Sequence, residues 1–181
     1  ANQMGARLLK DLAEQSQLAT VQAYMGHIQS AAEFKMRRAL RKLKAGTTSF
    51  TDELENGARI SVQVTLHHGE AGRDADNRVV VDFTGTDPVT PDNLNANRAI
   101  VTSALIYCFR CLIDEPIPLN AGVLAPIEPV LPPNCLLNPD AHEDPAQCPA
   151  MVGGNVETSQ RVVDVLFGAM GIAAASQGTM N

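Results

Sequence analysis

No apolar run in this 181-residue chain approaches the roughly 20 residues needed to cross a bilayer. The opening residues Ala1-Asn2-Gln3-Met4 have neither the basic nor the apolar part of a secretory signal. Membrane insertion and secretion are therefore not expected, and a soluble cytoplasmic protein is. Also missing are the common catalytic templates. The chain has no Gly-rich phosphate loop ending in Lys-Ser/Thr, no dinucleotide fingerprint and no nucleophile elbow around Ser159 or Ser176. Cysteine is scarce. Cys108 and Cys111 lie three apart on an apolar stretch and are expected to be buried on one face, while Cys135 and Cys148 lack zinc-site spacing, so no metal site is expected. His67 and His68 are adjacent on a strand-like segment and point to opposite faces, and His27 and His142 have no ligand partner nearby in sequence. Basic residues are scarce beyond Lys44: residues 1–44 carry eight Lys/Arg against three Asp/Glu, and the remainder six against seventeen. Nucleic-acid binding by the whole chain is disfavoured by that balance. The basic cluster of Lys35, Arg37, Arg38, Arg41, Lys42 and Lys44 reads as a solvated face at a helix end, where cations complement the dipole.

A 45% hydrophobic content suits a folded domain, and the periodicity changes along the chain. Residues 3–15 read as a short helix. Residues 18–43 read as a longer one, with Val21, Met25, Ile28, Ala32, Met36, Ala39 and Leu43 as its buried stripe and Gly46 closing it. A period of two follows, in which Ile60, Val62, Val64 and Leu66 alternate with polar residues, and residues 48–54 are the hairpin partner. With a further strand at 79–83 this predicts an antiparallel meander. Residues 93–97 cap a helix over 98–113 that is apolar nearly all round and belongs at the centre of the fold. Nine prolines between Asp114 and Pro149 predict an ordered surface loop with a short extended piece at 123–130. The expected architecture is α+β: a helical lead-in over 1–46, then a core segment over 47–181 with an antiparallel sheet packed by helices and a long Pro-rich loop.

The densest polar chemistry falls at residues 153–164, Gly-Gly-Asn-Val-Glu-Thr-Ser-Gln-Arg-Val-Val-Asp. Two glycines let the backbone approach a ligand or a neighbouring chain closely, and a helix start favours negative charge. Asn155 is expected to cap a helix to about residue 170 whose apolar stripe is Val156, Val163, Phe167 and Met170. Glu157, Arg161 and Asp164 form a charged ridge. Gln160 falls on the apolar stripe and needs buried partners, which implies a site, a buried subunit contact or a purely structural network. Asp82, in Val81-Asp82-Phe83-Thr84-Gly85-Thr86, reads as a turn carboxylate or a site residue. The stretch 175–181 ends the chain without signs of completing a domain, so a piece of something longer is expected.

The segment 81–86, residues 93–97, Arg110-Cys111-Leu112, residues 117–122, Leu136-Leu137-Asn138-Pro139, residues 153–164 and residues 175–181 together resemble the hydantoinase B family. That family includes the B subunit of N-methylhydantoinase, the matching half of 5-oxoprolinase and the large subunits of acetone-type carboxylases. The resemblance implies an enzyme acting on a small cyclic amide, or carboxylating a ketone, with ATP bound to a hydantoinase A-type partner subunit or domain. It also implies that any divalent metal is held outside this segment, because the family's metal motif lies upstream of it. The residues expected to serve catalysis are Glu157, Gln160 and Asp82. Those expected to bind substrate are Gly153, Gly154, Asn155, Arg161, Asn95 and Gln177. A non-catalytic assembly domain is the alternative of a different class.

Overall fold

The computed structural model describes residues 2–178; Ala1 and the Thr179-Met180-Asn181 end of the last motif lie outside the described residues. The order is α1 (Asn2–Ser16), α2 (Leu18–Leu40), β1 (Gly46–Glu53), β2 (Arg59–His67), β3 (Arg78–Asp82), α3 (Arg98–Arg110), β4 (Ile127–Val130) and α4 (Glu157–Met170). The α+β expectation is met. Alternation on β2 builds the centre: Ile60, Val62, Val64 and Leu66 are all buried, each contributing about 1.5–3 kcal/mol relative to exposure. β1 pairs antiparallel with β2 from Gly46↔Leu66 to Glu53↔Arg59, and β3 pairs antiparallel with β2's other edge. α4 lies on β1 and β2, and α3 packs on α4. Asn97 caps α3, its side chain accepting from Ile100 N at 3.1 Å.

Several expectations need correction. β4 joins β3 in parallel, Val79↔Ile127 to Asp82↔Val130, so the sheet is not a pure meander. β4 is an edge strand, which is where Pro129 is tolerated in a ladder. Extension begins only at Ile127, because residues 121–124 form a 3₁₀ turn. The Pro-rich stretch does not simply cover the surface: Ile117, Val123, Ile127, Cys135, Leu136 and Leu137 are core residues. Proline forbids long regular elements, but it does not prevent side chains between the prolines from turning inward.

The helices differ from expectation too. α2 ends at Leu40 and Gly46 opens β1 at φ +131°. Its stripe is buried only at Ala32, Met36 and Ala39, joined by Leu40, whereas Met25 and Ile28 are exposed. Only the second half of α2 lies over the core, and α1, joined to α2 through Gln17, buries none of its own residues. The basic end of α2 is not a free solvated face. Lys35 and Arg38 both pair with Glu115, Lys42 meets Asp114 at 2.5 Å, and Arg41 pairs with Asp74. Arg37 reaches the Asn77 carbonyl at 2.7 Å. These contacts fasten α2 to two loops. α3 buries one face only, leaving Tyr107 and Cys111 exposed, so Cys108 and Cys111 are not buried together. Burial, followed by the charges of Cys111 and Asp164, pushes the Cys108 thiol up to about 12. Among the described residues no helix is long and apolar enough to cross a membrane.

Candidate active site

The two glycines before α4 are spent on chain packing. A Cβ on Gly154 would stand 2.1 Å from the Asn95 carbonyl oxygen, and one on Gly153 would stand 2.9 Å from Leu94 Cδ2. Gly153 N donates to Asn93 O at 2.9 Å, and the Thr158 hydroxyl donates to Leu94 O. The start of α4 is thereby seated against residues 93–96. Neither role read from the glycine pair, approach to a ligand or to a neighbouring chain, is what the pair does here: it lets two segments of this one chain pack closely.

Asn95 supports this seat from inside. It is wholly buried, with Oδ1 accepting from Thr90 N at 2.9 Å and Nδ2 donating to Thr90 O, Asp92 O and Ala150 O. Its hydrogen-bonding capacity is taken up by Thr90, Asp92 and Ala150, and it does not line the cleft described below. Asp92 has the Thr90 hydroxyl, the Leu94 N–H and the Asn56 amide around its carboxylate, and these hold it below the usual carboxylate range. Asn155 does not cap α4. The cap position is Val156, with no side-chain cap, because a 3₁₀ turn over Gly153–Asn155 runs directly into the helix. Asn155 is exposed and faces a shallow hollow shared with Ser103 and Tyr107.

Four expected site residues do converge. Glu157, Gln160 and Arg161 from α4 and Gln177 from the tail line one cleft of about 220 Å³. Leu54 and Glu55 after β1, together with Leu94, form its far wall, and Asp164 and Gly178 complete it. Three carboxylates and one guanidinium make the lining acidic. Such a wall favours a ligand's hydrogen-bond donors over an anion, which reverses the charge preference read from the helix start alone. Arg161 is itself held, with Nη1 at 2.5 Å from Asp52 Oδ2 on β1 and 3.9 Å from Asp164 Oδ2.

Gln160 is not a buried amide on an inner stripe. It is half-exposed and donates to Ser176 Oγ at 2.8 Å. The buried face of α4 is Thr158, Val162, Val165, Leu166 and Ala169, one step round from the predicted stripe. The buried polar residue is Asp164, 4% exposed, which accepts from Ser176 N at 2.9 Å and from Ser176 Oγ at 3.0 Å. Sequence reading placed it on a surface ridge. The signal for its burial was Gly171, whose left-handed φ of +65° ends α4 and turns the chain back. Asp82 does not line the cleft. It ends β3, and its Oδ1 accepts from Thr84 N at 2.8 Å, as a turn carboxylate does.

No group of three or more His, Cys, Asp or Glu among the described residues is placed to hold a metal. With this geometry in hand, comparison with known proteins identifies the class. The hydantoinase B/oxoprolinase family profile matches residues 1–181, and the chain belongs to that family. The 5-oxoprolinase 1 of Arabidopsis thaliana is 41% identical over 189 residues, covering 100% of this chain and 14% of the relative. The 5-oxoprolinase of Saccharomyces cerevisiae is 40% identical over 185 residues, again covering 100% and 14%. This chain thus spans a small part of those relatives' length. In solved structures the fold recurs in the ATP-dependent caprolactamase of Pseudomonas jessenii, with TM-score 0.69 and 22% identity over 92% of this chain and 28% of that one. It recurs also in a nucleotide-free acetone carboxylase, with TM-score 0.61 and 14% identity over 91% and 22%.

Proposed function

We propose that this chain is part of the B-type component of an ATP-dependent cyclic amide hydrolase of the 5-oxoprolinase kind. The observation that carries the reading is the roughly 40% identity to 5-oxoprolinases along the whole chain. In this reading the enzyme is cytoplasmic and ATP is bound by a hydantoinase A-type subunit or domain. That partner activates the ring carbonyl by phosphorylation, and the B-type part completes ring opening. The acidic cleft supplies side chains suited to the second half. Glu157, on the first turn of α4, takes or returns a proton during attack and departure of the ring nitrogen. Gln160, Arg161 and Gln177 orient the substrate beside it. Asp82, Asn95 and the glycine pair hold the scaffold, and Asn155 stands outside the cleft. The donor set described here does not fit a divalent metal, so none of these steps is routed through one.

The test is ATP consumption by the complete assembly, screened against 5-oxoproline, hydantoins, and ketones with bicarbonate. ATP use matched by ring opening of a cyclic amide is the expected result. ATP use only with a ketone and bicarbonate would replace the hydrolase with a carboxylase. An assembly whose turnover is untouched by Glu157→Gln and Arg161→Ala would make this region an assembly domain.

A further inference from the structure

We propose that Gln160 presents its side-chain carbonyl oxygen to the ring N–H of the substrate, with Asp164 and Ser176 as positioning residues that fix that orientation. This rests on the cyclic amide reading above and narrows it to secondary lactams, those with a free ring N–H.

A glutamine amide has two orientations that differ only by exchange of O and N, and its neighbours decide between them. Here the decision starts at Asp164. Its Oδ2 lies 3.0 Å from Ser176 Oγ, and a carboxylate has no hydrogen to give, so the serine hydrogen points at Asp164. The Ser176 N–H donates to the other carboxylate oxygen at 2.9 Å, which fixes the serine at two points. Ser176 Oγ is left with lone pairs alone. It faces the Gln160 amide at 2.8 Å and Gly178 N at 3.3 Å, and only an N–H can approach it from either side. The amide nitrogen of Gln160 is therefore turned to the tail, and Oε1 is the free end.

No donor among the described residues reaches that oxygen, and Gln160 lines the cleft beside Glu55 and Glu157. The cleft thus offers acceptors on several sides. An N–H is the group it completes, and a ring oxygen or an N-methyl group leaves Oε1 unpaired. Asp164 is 4% exposed and bonded only through this arrangement and Arg161, so the orientation is set by a group that water barely competes for.

The test uses the full-length protein with its ATP-binding partner and measures kcat/KM for 5-oxoproline and for its N-methyl derivative. The ratio of the two is compared in the parent, Gln160→Leu, Ser176→Ala, Ser176→Thr and Asp164→Asn. Gln160→Leu is expected to lower the ratio by roughly tenfold, the worth of one well-made hydrogen bond, through loss on the N–H substrate alone. Ser176→Ala and Asp164→Asn lower it partway, and Ser176→Thr restores it. A scaffold role would slow both substrates alike and leave the ratio unmoved. An unmoved ratio overturns the inference while the hydrolase reading stands. If neither substrate is turned over, the hydrolase reading fails, and equilibrium binding of the same pair to the same proteins decides. A preference for the N–H compound that Gln160→Leu abolishes upholds the assignment, and indifference sinks it.

Discussion

Replacing Gly154 with alanine tests whether the glycine pair serves packing or a ligand. The added Cβ falls 2.1 Å from Asn95 O, 2.9 Å from Asn95 C and 3.0 Å from Ala96 Cα, all backbone atoms that no rotamer change can move aside. Nor can that segment withdraw, since Asn95 and Ala96 are both wholly buried and Ala96 N is bonded to Leu136 O at 2.8 Å. The turn carrying residue 154 must instead lift away. Such overpacking costs about 1–3 kcal/mol. Lifting also breaks the Gly153 N to Asn93 O and Asn95 Nδ2 to Ala150 O bonds, at about 0.5–1.5 kcal/mol each. The expected loss is therefore about 2–6 kcal/mol, against a total stability of about 5–15 kcal/mol for a typical domain. Urea denaturation measures it, and two other glycines calibrate the result. Gly171→Ala meets no atom within 4 Å but sits at φ +65°, so it costs about 1–2 kcal/mol from backbone strain alone. Gly26→Ala, inside α2 with open space around it, gains up to about 1 kcal/mol. A Gly154→Ala protein within about 0.5 kcal/mol of the parent, on the scale these reference substitutions set, would refute the packing argument.

Asp92 is held below the ordinary carboxylate range by the Thr90 hydroxyl, the Leu94 N–H and the Asn56 amide, so its contribution to stability is complete above the unfolded value near pH 4 and is lost as the pH falls through its lower folded value. Asp92→Asn is expected to flatten the acid limb of a stability-versus-pH curve and to leave its shape at neutral pH unchanged. A thiol reagent at pH 8 is expected to label exposed Cys111 first and Cys108 only on unfolding, since burial drives the Cys108 thiol up to about 12; equal labelling rates by mass spectrometry would contradict that. Removing residues 2–16 is expected to leave the core intact, because α1 buries none of its residues, and a drop of more than about 2 kcal/mol in denaturant stability would show that α1 does more.

Where the sequence was informative, one face of an element was apolar and the other was not. β2 alternates cleanly, so its partner β1 and its buried side were legible. α4 is apolar at Val162, Val163, Val165, Leu166, Phe167, Ala169 and Met170, which wraps more than one face. Periodicity could not choose between them. The sheet took the 162/165/166/169 side, while Phe167 met Tyr107 of α3 with ring centroids 6.2 Å apart. The parallel β4 was illegible for another reason: its pairing with β3 spans more than forty residues, and its own four residues include a proline. At the candidate site, Glu157, Gln160, Arg161 and Gln177 were singled out by their chemistry, and the fold brings them to one cleft. Asp52 and Ser176, which hold them, were not, because an ordinary aspartate on a strand and a serine in a tail gain meaning only from what folds beside them.

The ion pair from Arg161 to Asp52 closes a separation of 109 residues, and the remaining cleft lining comes from positions as distant as 54 and 178. The β1–β2 hairpin can form from near neighbours, but the cleft cannot, since closure of so long a loop must be paid for before its contacts give anything back. Closure of the cleft is therefore a late event in folding. A chain still emerging from the ribosome holds an open groove until Gln177 and Gly178 have been made and turned back by Gly171. The shape of the cleft is in this way tied to the synthesis of residues 177 and 178.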